Sequence, residues 1–279
     1  MKRVLVASDL TSRSESALER ALILAKQVGA AVHVLHVVDA ELPRAISEHQ
    51  RTEGMRQLEE WLANSPNVEG VQVEIEVVLG HRIDSVLTGA DAKNAELLIL
   101  GRQRKRLFRD AFAGSTMEQL VRLSQRPVLV VPHKPTAPYQ RMLAAIDFSD
   151  CSRRAVEYAL QLLPQASLEL LHVYAMSYTG IAGLSQGAED HDKIERHIRH
   201  MVAEDEKRFL AAIKTPGAPQ QVDLRAGNAI AVIRQEVASR GADLLVIGTS
   251  GRRGLARAML GSVAAKLTQD PVCDVLVVS

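Results

Sequence analysis

Cysteine is nearly absent from this 279-residue chain, which has only Cys151 and Cys273. Two thiols so far apart form neither a disulfide framework nor a metal-ligand spacing, so both are expected to be reduced and structural. Aromatic residues are scarce at 3%, and the net charge is only +1. Without stacking platforms or excess positive charge, the chain lacks what nucleic-acid binding draws on, and no nucleic-acid partner is expected. No apolar run is long enough to span a bilayer, and no signal-peptide pattern precedes the first strand-like segment. No membrane insertion and a cytoplasmic location are therefore expected. Also missing are the GxxxxGK[ST] loop, a GxGxxG after the first strand and a GxSxG elbow, and no catalytic residue is assigned.

What the chain does have is a copy of itself. KRVLVASD (2–9) matches QRMLAAID (140–147), VHVLHVV (32–38) matches LELLHVY (168–174), and AELLILG (95–101) matches ADLLVIG (242–248). Each is a short aliphatic run, as expected of strands covered on both faces. Helix-period segments lie between them. SESALERALILAKQV (14–28) puts Leu18, Leu22 and Ala25 on one side and Ser16, Arg20 and Gln27 on the other, and RRAVEYALQLL (153–163) repeats the design. The offset between copies is 138 residues at Asp9 and Asp147, 136 at His36 and His172, and 147 from Gly80 and Gly227 onward. The second copy thus carries an insertion after its second strand, placed at SYTGIAGLSQGAED (177–190) and read as a flap. HKPTAPYQ (133–140) reads as a linker, which divides the chain into domains 1–133 and 139–279.

Alternating strands and helices predict an α/β fold with two tandem doubly wound parallel five-stranded sheets. The strands are expected at 2–8, 32–38, 71–79, 95–101 and 127–132, and at 140–146, 168–174, 221–226, 242–248 and 274–279. Ligands in such sheets lie at the carboxyl ends of strands where the strand order reverses, here after the first, second and fourth strands of each copy.

After the fourth strand of the second copy comes GTSGRRGLARAMLGS (248–262), with Gly248, Gly251 and Gly261 before Ser262. Glycines there allow backbone N–H groups to approach a ligand closely. Ser262 is placed as the N-cap of the following helix, whose amino end favours an anion, and Arg252, Arg253 and Arg257 add positive charge. Together they describe a phosphate cradle. Asp147 could accept hydrogen bonds from an adenine or ribose, or could serve the turn into the next helix, and both readings stay open.

The spacing Gly248-x2-Gly251-x9-Gly261-Ser262 resembles the ATP-binding signature of the universal stress protein family. The duplicated architecture, the strand-ending aspartates and the paired LHV strands resemble its tandem members over the whole chain. The resemblance implies Rossmann-like, adenine nucleotide hydrolase-like domains packed as a pseudo-dimer. It implies ATP as ligand, accompanied by Mg2+ or Mn2+, with AMP or another adenine nucleotide as the alternative. It further implies that Ala145, Ile146, Asp147, Phe148, Ser149 and the backbone near Val173 hold the adenine and ribose. Gly248 would contact the ribose, and Gly251, Arg252, Gly261, Ser262 and Val263 the phosphates. A further homodimer and an unidentified protein partner are also compatible with it. One departure is Asp274, at the position of Pro127, on the strand that resembles the family's dimerisation edge; the pairing of the halves is left open there.

The first copy, GRQRKRLFRDAFAGS (101–115), keeps Gly101, Gly114 and Ser115 but has Arg104 where the cradle has Gly251. A side chain there fills the space near the backbone donors. Ser115-Thr116-Met117-Glu118 also reads as a capping box, with Glu118 reaching back to its own helix. The first-domain set Asp9, Val37, Gly101, Arg104, Gly114 and Ser115 is therefore read as degenerate, and one nucleotide site per chain is expected. The surrounding Arg102, Lys105, Arg106 and Arg109 read as a solvated basic surface. His191, His197 and His200 read as a polar helical face, and no metal site is assigned. His36 and His172 read as packed, hydrogen-bonded strand residues. Three functions remain: a nucleotide-holding stress or signalling protein, a slow ATP-hydrolysing or adenylating enzyme, and a scaffold with a structural nucleotide.

Overall fold

The computed structural model describes residues 1–102, 115–174, 200, 202–249 and 260–279. Its first half runs β1 (Arg3–Ser8), α1 (Ser12–Val28), β2 (Ala31–Asp39), α2 (Arg44–Asn64), β3 (Val73–Gly80), α3 (Arg82–Ala92), β4 (Leu97–Gly101), α4 (Thr116–Leu123) and β5 (Val128–Val131). The second runs β6 (Arg141–Ile146), α5 (Asp150–Leu162), β7 (Ser167–Tyr174), a helical stretch at 202–212 (α6), β8 (Asp223–Ala226), α7 (Ala229–Arg240), β9 (Leu244–Gly248), α8 (Ser262–Gln269) and β10 (Asp274–Val278). The 177–190 insertion lies outside the described residues.

The strands form one sheet in the order β3-β2-β1-β4-β5-β10-β9-β6-β7-β8. Pairing within each half is parallel throughout. In each half the first strand sits between the second and the fourth, and the chain direction across the sheet reverses there. The expected pair of five-stranded sheets is present, joined edge to edge. Alternate strand residues face opposite layers, as the period of two requires. Val4, Val6, Leu97 and Ile99 pack with α1 and α2. Leu5, Leu98 and Leu100 pack with α3 and α4. α1 ends on Gly29 at φ 71°, a left-handed cap whose N–H donates to Ala25 O.

The seam between the halves is antiparallel, with Val275, Leu276 and Val277 opposite Val130, Leu129 and Val128. Asp274 does not disturb it. Its Oδ2 accepts from Arg20 Nε at 2.7 Å and from the Tyr139 hydroxyl at 2.5 Å. Arg20 also lies 4.1 Å over the Tyr139 ring and donates to Ala137 O. Two sequence expectations change here. Arg20, placed on the polar side of α1, is buried, and Tyr139, read as linker, is a buried anchor. A carboxylate at the seam requires a partner, and α1 is the element that reaches it. Cys151 and Cys273 are free thiols, as expected, and burial pushes the Cys273 thiol up to about 12.

Candidate functional site

At the carboxyl end of β1 the chain turns sharply into α1, and β6 repeats this turn into α5. Leu10 and Phe148, the residues after the two aspartates, adopt φ of 58° and 62°. Such angles cost a non-glycine residue about 1–2 kcal/mol, so both turns are held by their surroundings. Asp9 Oδ1 accepts from Thr11 N, Thr11 Oγ1 and Ser14 Oγ at 3.1, 2.6 and 2.9 Å. Asp147 Oδ1 accepts from Ser149 N and Ser152 Oγ at 3.1 and 2.6 Å. Ser149 is the N-cap of α5 and accepts from Ser152 N. Each aspartate thus braces its turn. Burial pushes the Asp9 carboxyl up, but its hydrogen bonds and the Arg13 charge outweigh this and hold it below the ordinary value.

The histidines of the second strands secure the same turns. The Nδ1 atoms of His36 and His172 each lie 2.8 Å from a strand-end carbonyl, that of Ser8 and that of Ile146. A carbonyl only accepts, so both rings carry the proton on Nδ1. Phe148 packs on His172 and meets Phe209 edge to face, with centroids 4.5 and 5.7 Å apart.

The first glycine of each loop has a steric reason within the protein. A Cβ on Gly101 would lie 2.5 Å from Arg13 O, and one on Gly248 would lie 3.1 Å from Ser152 N. The amino ends of α1 and α5 cross over these strand ends, too closely for a side chain at Gly101 and tightly at Gly248. Thr249 N and Arg102 N continue the sheet pairing to Val278 O and Val131 O at 2.9 Å. Gly251, Arg252, Arg253 and Arg257, together with Arg104, Lys105, Arg106, Arg109 and Gly114, lie outside the described residues, as do His191 and His197. Gly261 closes the base of its loop, donating from N–H to Thr249 O at 2.7 Å.

Here the structure corrects the reading of the two following helices. Gly261, not Ser262, is the N-cap of α8, because its carbonyl takes the first helical bond from Ala265 N at 2.8 Å. Ser262 becomes the first helical residue, and the N-cap, a glycine, has no side chain with which to cap the helix. The first-turn N–H groups of Ser262, Val263 and Ala264 point off its end. In the first half the position of Ser262 is held by Ser115, which does cap α4, accepting from Glu118 N at 3.1 Å. Glu118 does not return this bond. Its Oε2 lies 3.5 Å from Gln269 Nε2 across the contact between α4 and α8. Arg102, expected to be solvated, pairs with Asp270 at 3.0 Å and so also ties the halves together.

A cleft of about 550 Å³ opens at the carboxyl ends of β1, β2 and β4, between Asp9, His36, Val37, Gly101, Arg102 and Thr116. Its size is that of a small-molecule site. The corresponding positions of the second half, Ala145, Ile146, Asp147, Val173 and Gly248, stand at the equivalent strand ends of β6, β7 and β9. The sequence reading missed a cluster far from these ends, in which His33 on β2 faces Glu74 and Glu76 on β3. Its signal is a Glu-x-Glu on one strand, both residues facing the same way, opposite a lone strand histidine.

The Universal stress protein family profile matches the chain twice, over residues 1–132 and 138–279. Universal stress protein YxiE of Bacillus subtilis is 32% identical over 152 residues, covering 99% of that protein and 50% of this chain. Universal stress protein MJ0531 of Methanocaldococcus jannaschii is 28% identical over 144 residues, covering 82% of that protein and 50% of this chain. The crystal structure of a universal stress protein from Archaeoglobus fulgidus matches with a TM-score of 0.68 at 21% identity, over 99% of this chain and 98% of that one, a likeness of fold. Among the described residues, no helix is long and apolar enough to cross a membrane.

Proposed function

Since the chain belongs to the universal stress protein family along both halves, we propose that its second half binds ATP and uses it for stress response or signalling rather than rapid catalysis. One contrast carries this reading. α8 begins on a glycine N-cap that has no side chain to cap it, whereas Ser115 caps α4. An uncapped helix amino end has backbone donors and a positive partial charge that suit a phosphate. The donor set therefore fits the group.

In this arrangement Asp147, Phe148, Ser149 and the backbone from Ala145 to Ile146 and near Val173 hold the adenine and ribose, and Gly248 lies beside the ribose. Ser262 and Val263 offer backbone N–H groups to the phosphates, with Gly251 and Arg252 contributing from the loop. Gly261 acts differently, since its N–H is engaged by Thr249 O; it sets where the loop closes. Mg2+ or Mn2+ would offset phosphate charge, and AMP or another adenine nucleotide would use the same nucleoside end. The first half has room for a nucleoside in its cleft, but its loop has Arg104 in place of the glycine and its α4 is capped by Ser115, so no phosphate is expected to bind there.

Calorimetry on nucleotide-free protein tests the reading. One equivalent of ATP per chain is expected, together with a rise in Tm on ATP addition. Two equivalents would refute the one-site assignment, and the absence of both binding and stabilisation would refute the function. ADP formation followed over hours should stay far below about one turnover per second, the low end of ordinary enzyme rates.

A further inference from the structure

His33 occupies a sheet position where an aliphatic residue would be at home. It is 5% exposed, and neither ring nitrogen makes a hydrogen bond. Nδ1 lies 3.5 Å from Glu74 Oε2 and Nε2 lies 3.1 Å from Glu76 Oε2, without the alignment that a hydrogen bond needs. A buried ring with two unbonded nitrogens destabilises a fold unless something binds it. One donor atom from each of the three side chains can be chosen so that all lie within 4.8 Å of one another. Nitrogen and oxygen ligands about 2.1 Å from a tetrahedral zinc ion stand about 3.4 Å apart. One ion takes one ring nitrogen: Nδ1 already stands near that spacing from Glu74 Oε2 at 3.5 Å, and Glu76, which now faces Nε2 and is partly exposed, would turn to the same side.

We propose that His33, Glu74 and Glu76 form a binding site for a divalent transition-metal ion of the zinc class, with water completing the coordination. The site lies near the amino-terminal ends of β2 and β3, at the opposite end of the strands from the cleft, and does not depend on the nucleotide reading. One imidazole and two carboxylates is a ligand set that suits zinc-class ions. Without metal, Lys93 Nζ stands beside both carboxylates, 2.5 Å from Glu74 Oε1 and 3.4 Å from Glu76 Oε2. The ion takes over that charge role, and the partly exposed ammonium moves out to water.

The second half supplies a comparison within the same molecule. The positions of His33, Glu76 and Lys93 are held there by Glu169, Asp223 and Arg240. Arg240 pairs with Glu169, with Asp223 at 2.8 Å and with Glu236 at 2.6 Å. A guanidinium held by three carboxylates is a permanent internal cation, and a glutamate, Glu169, stands where the first half has its imidazole. The first half replaces this closed cluster with a histidine lacking bonds and a more easily displaced lysine.

Chelator-stripped full-length protein is titrated with Zn2+ by calorimetry and with Co2+ by visible absorption, at neutral pH. Wild type should bind one equivalent that His33→Gln loses. Glu74→Gln combined with Glu76→Gln, at two exposed positions that leave the core intact, should weaken that equivalent by more than about tenfold. Lys93→Met should tighten it, because the competing ammonium is gone, and Asp223→Asn should leave it unchanged. Circular dichroism confirms that each variant is folded. No binding by wild type overturns the proposal. So does equal binding by wild type and the two ligand variants, the result expected if surface histidines such as His49 take the metal.

Discussion

Gly101 and Gly248 each stand where a helix amino end crosses a strand end, and the tolerance differs between them. The nearest atom to a Cβ on Gly101 is a backbone oxygen at 2.5 Å, which cannot swing away, whereas the closest approach at Gly248 is 3.1 Å. Gly101→Ala should therefore destabilise the protein by about 1–3 kcal/mol, the range of an overpacked core, and Gly248→Ala by less. The urea midpoint at constant m-value checks this. Asp9 adds a pH dependence. Its carboxyl is held below the ordinary value, so the stability it contributes is full above that value and is lost as pH falls through the lowered one. Asp9→Asn should flatten acid unfolding in that window, read from the urea midpoint against pH. The sequence located these residues at the strand ends but did not say which atoms they meet. That depends on how α1 and α5 lie across the sheet, which no local pattern encodes.

At the scale of elements, α4 and α8 are copies that begin differently. Ser115→Ala removes a cap and should cost about 1 kcal/mol, whereas Ser262→Ala removes none. Gly251→Arg should abolish ATP binding, and Arg104→Gly with Ser115→Ala should add a second equivalent, both read by calorimetry. Glu118→Ala should add nothing, since Glu118 turns to Gln269. The serine-to-glutamate spacing was legible as a capping box, yet only half of it forms. A glutamate three residues into a helix can reach its own amino end or a neighbouring helix, and the choice depends on a helix from the other half of the chain. Helix and strand positions along the chain were legible because apolar periodicity follows from burial on one side or two.

For the whole molecule, the duplication was readable from three pairs of matching strand segments, but the seam was not, because Asp274 stands where its copy has Pro127. The resolution lies 254 residues away, in Arg20. Arg20→Ala leaves the Asp274 carboxylate buried beside Tyr139 alone and should cost about 3–5 kcal/mol. Arg20→Met with Asp274→Leu should restore most of that loss, since a buried ion pair replaced by apolar groups of similar volume is often neutral. Chemical unfolding of the single and double variants measures both.

The antiparallel seam places β5 and β10 inside one polypeptide. Two such strands on separate chains would separate on dilution and could exchange partners, whereas here the connection between them keeps their effective concentration fixed. Each molecule made therefore carries one copy of each half, in a ratio set by translation and not by mass action. An alteration confined to one half can never be averaged out by reshuffling subunits. That permanence is what allows the two halves to diverge, one keeping an uncapped helix beside its glycine run while the other caps its helix and places a histidine between two glutamates.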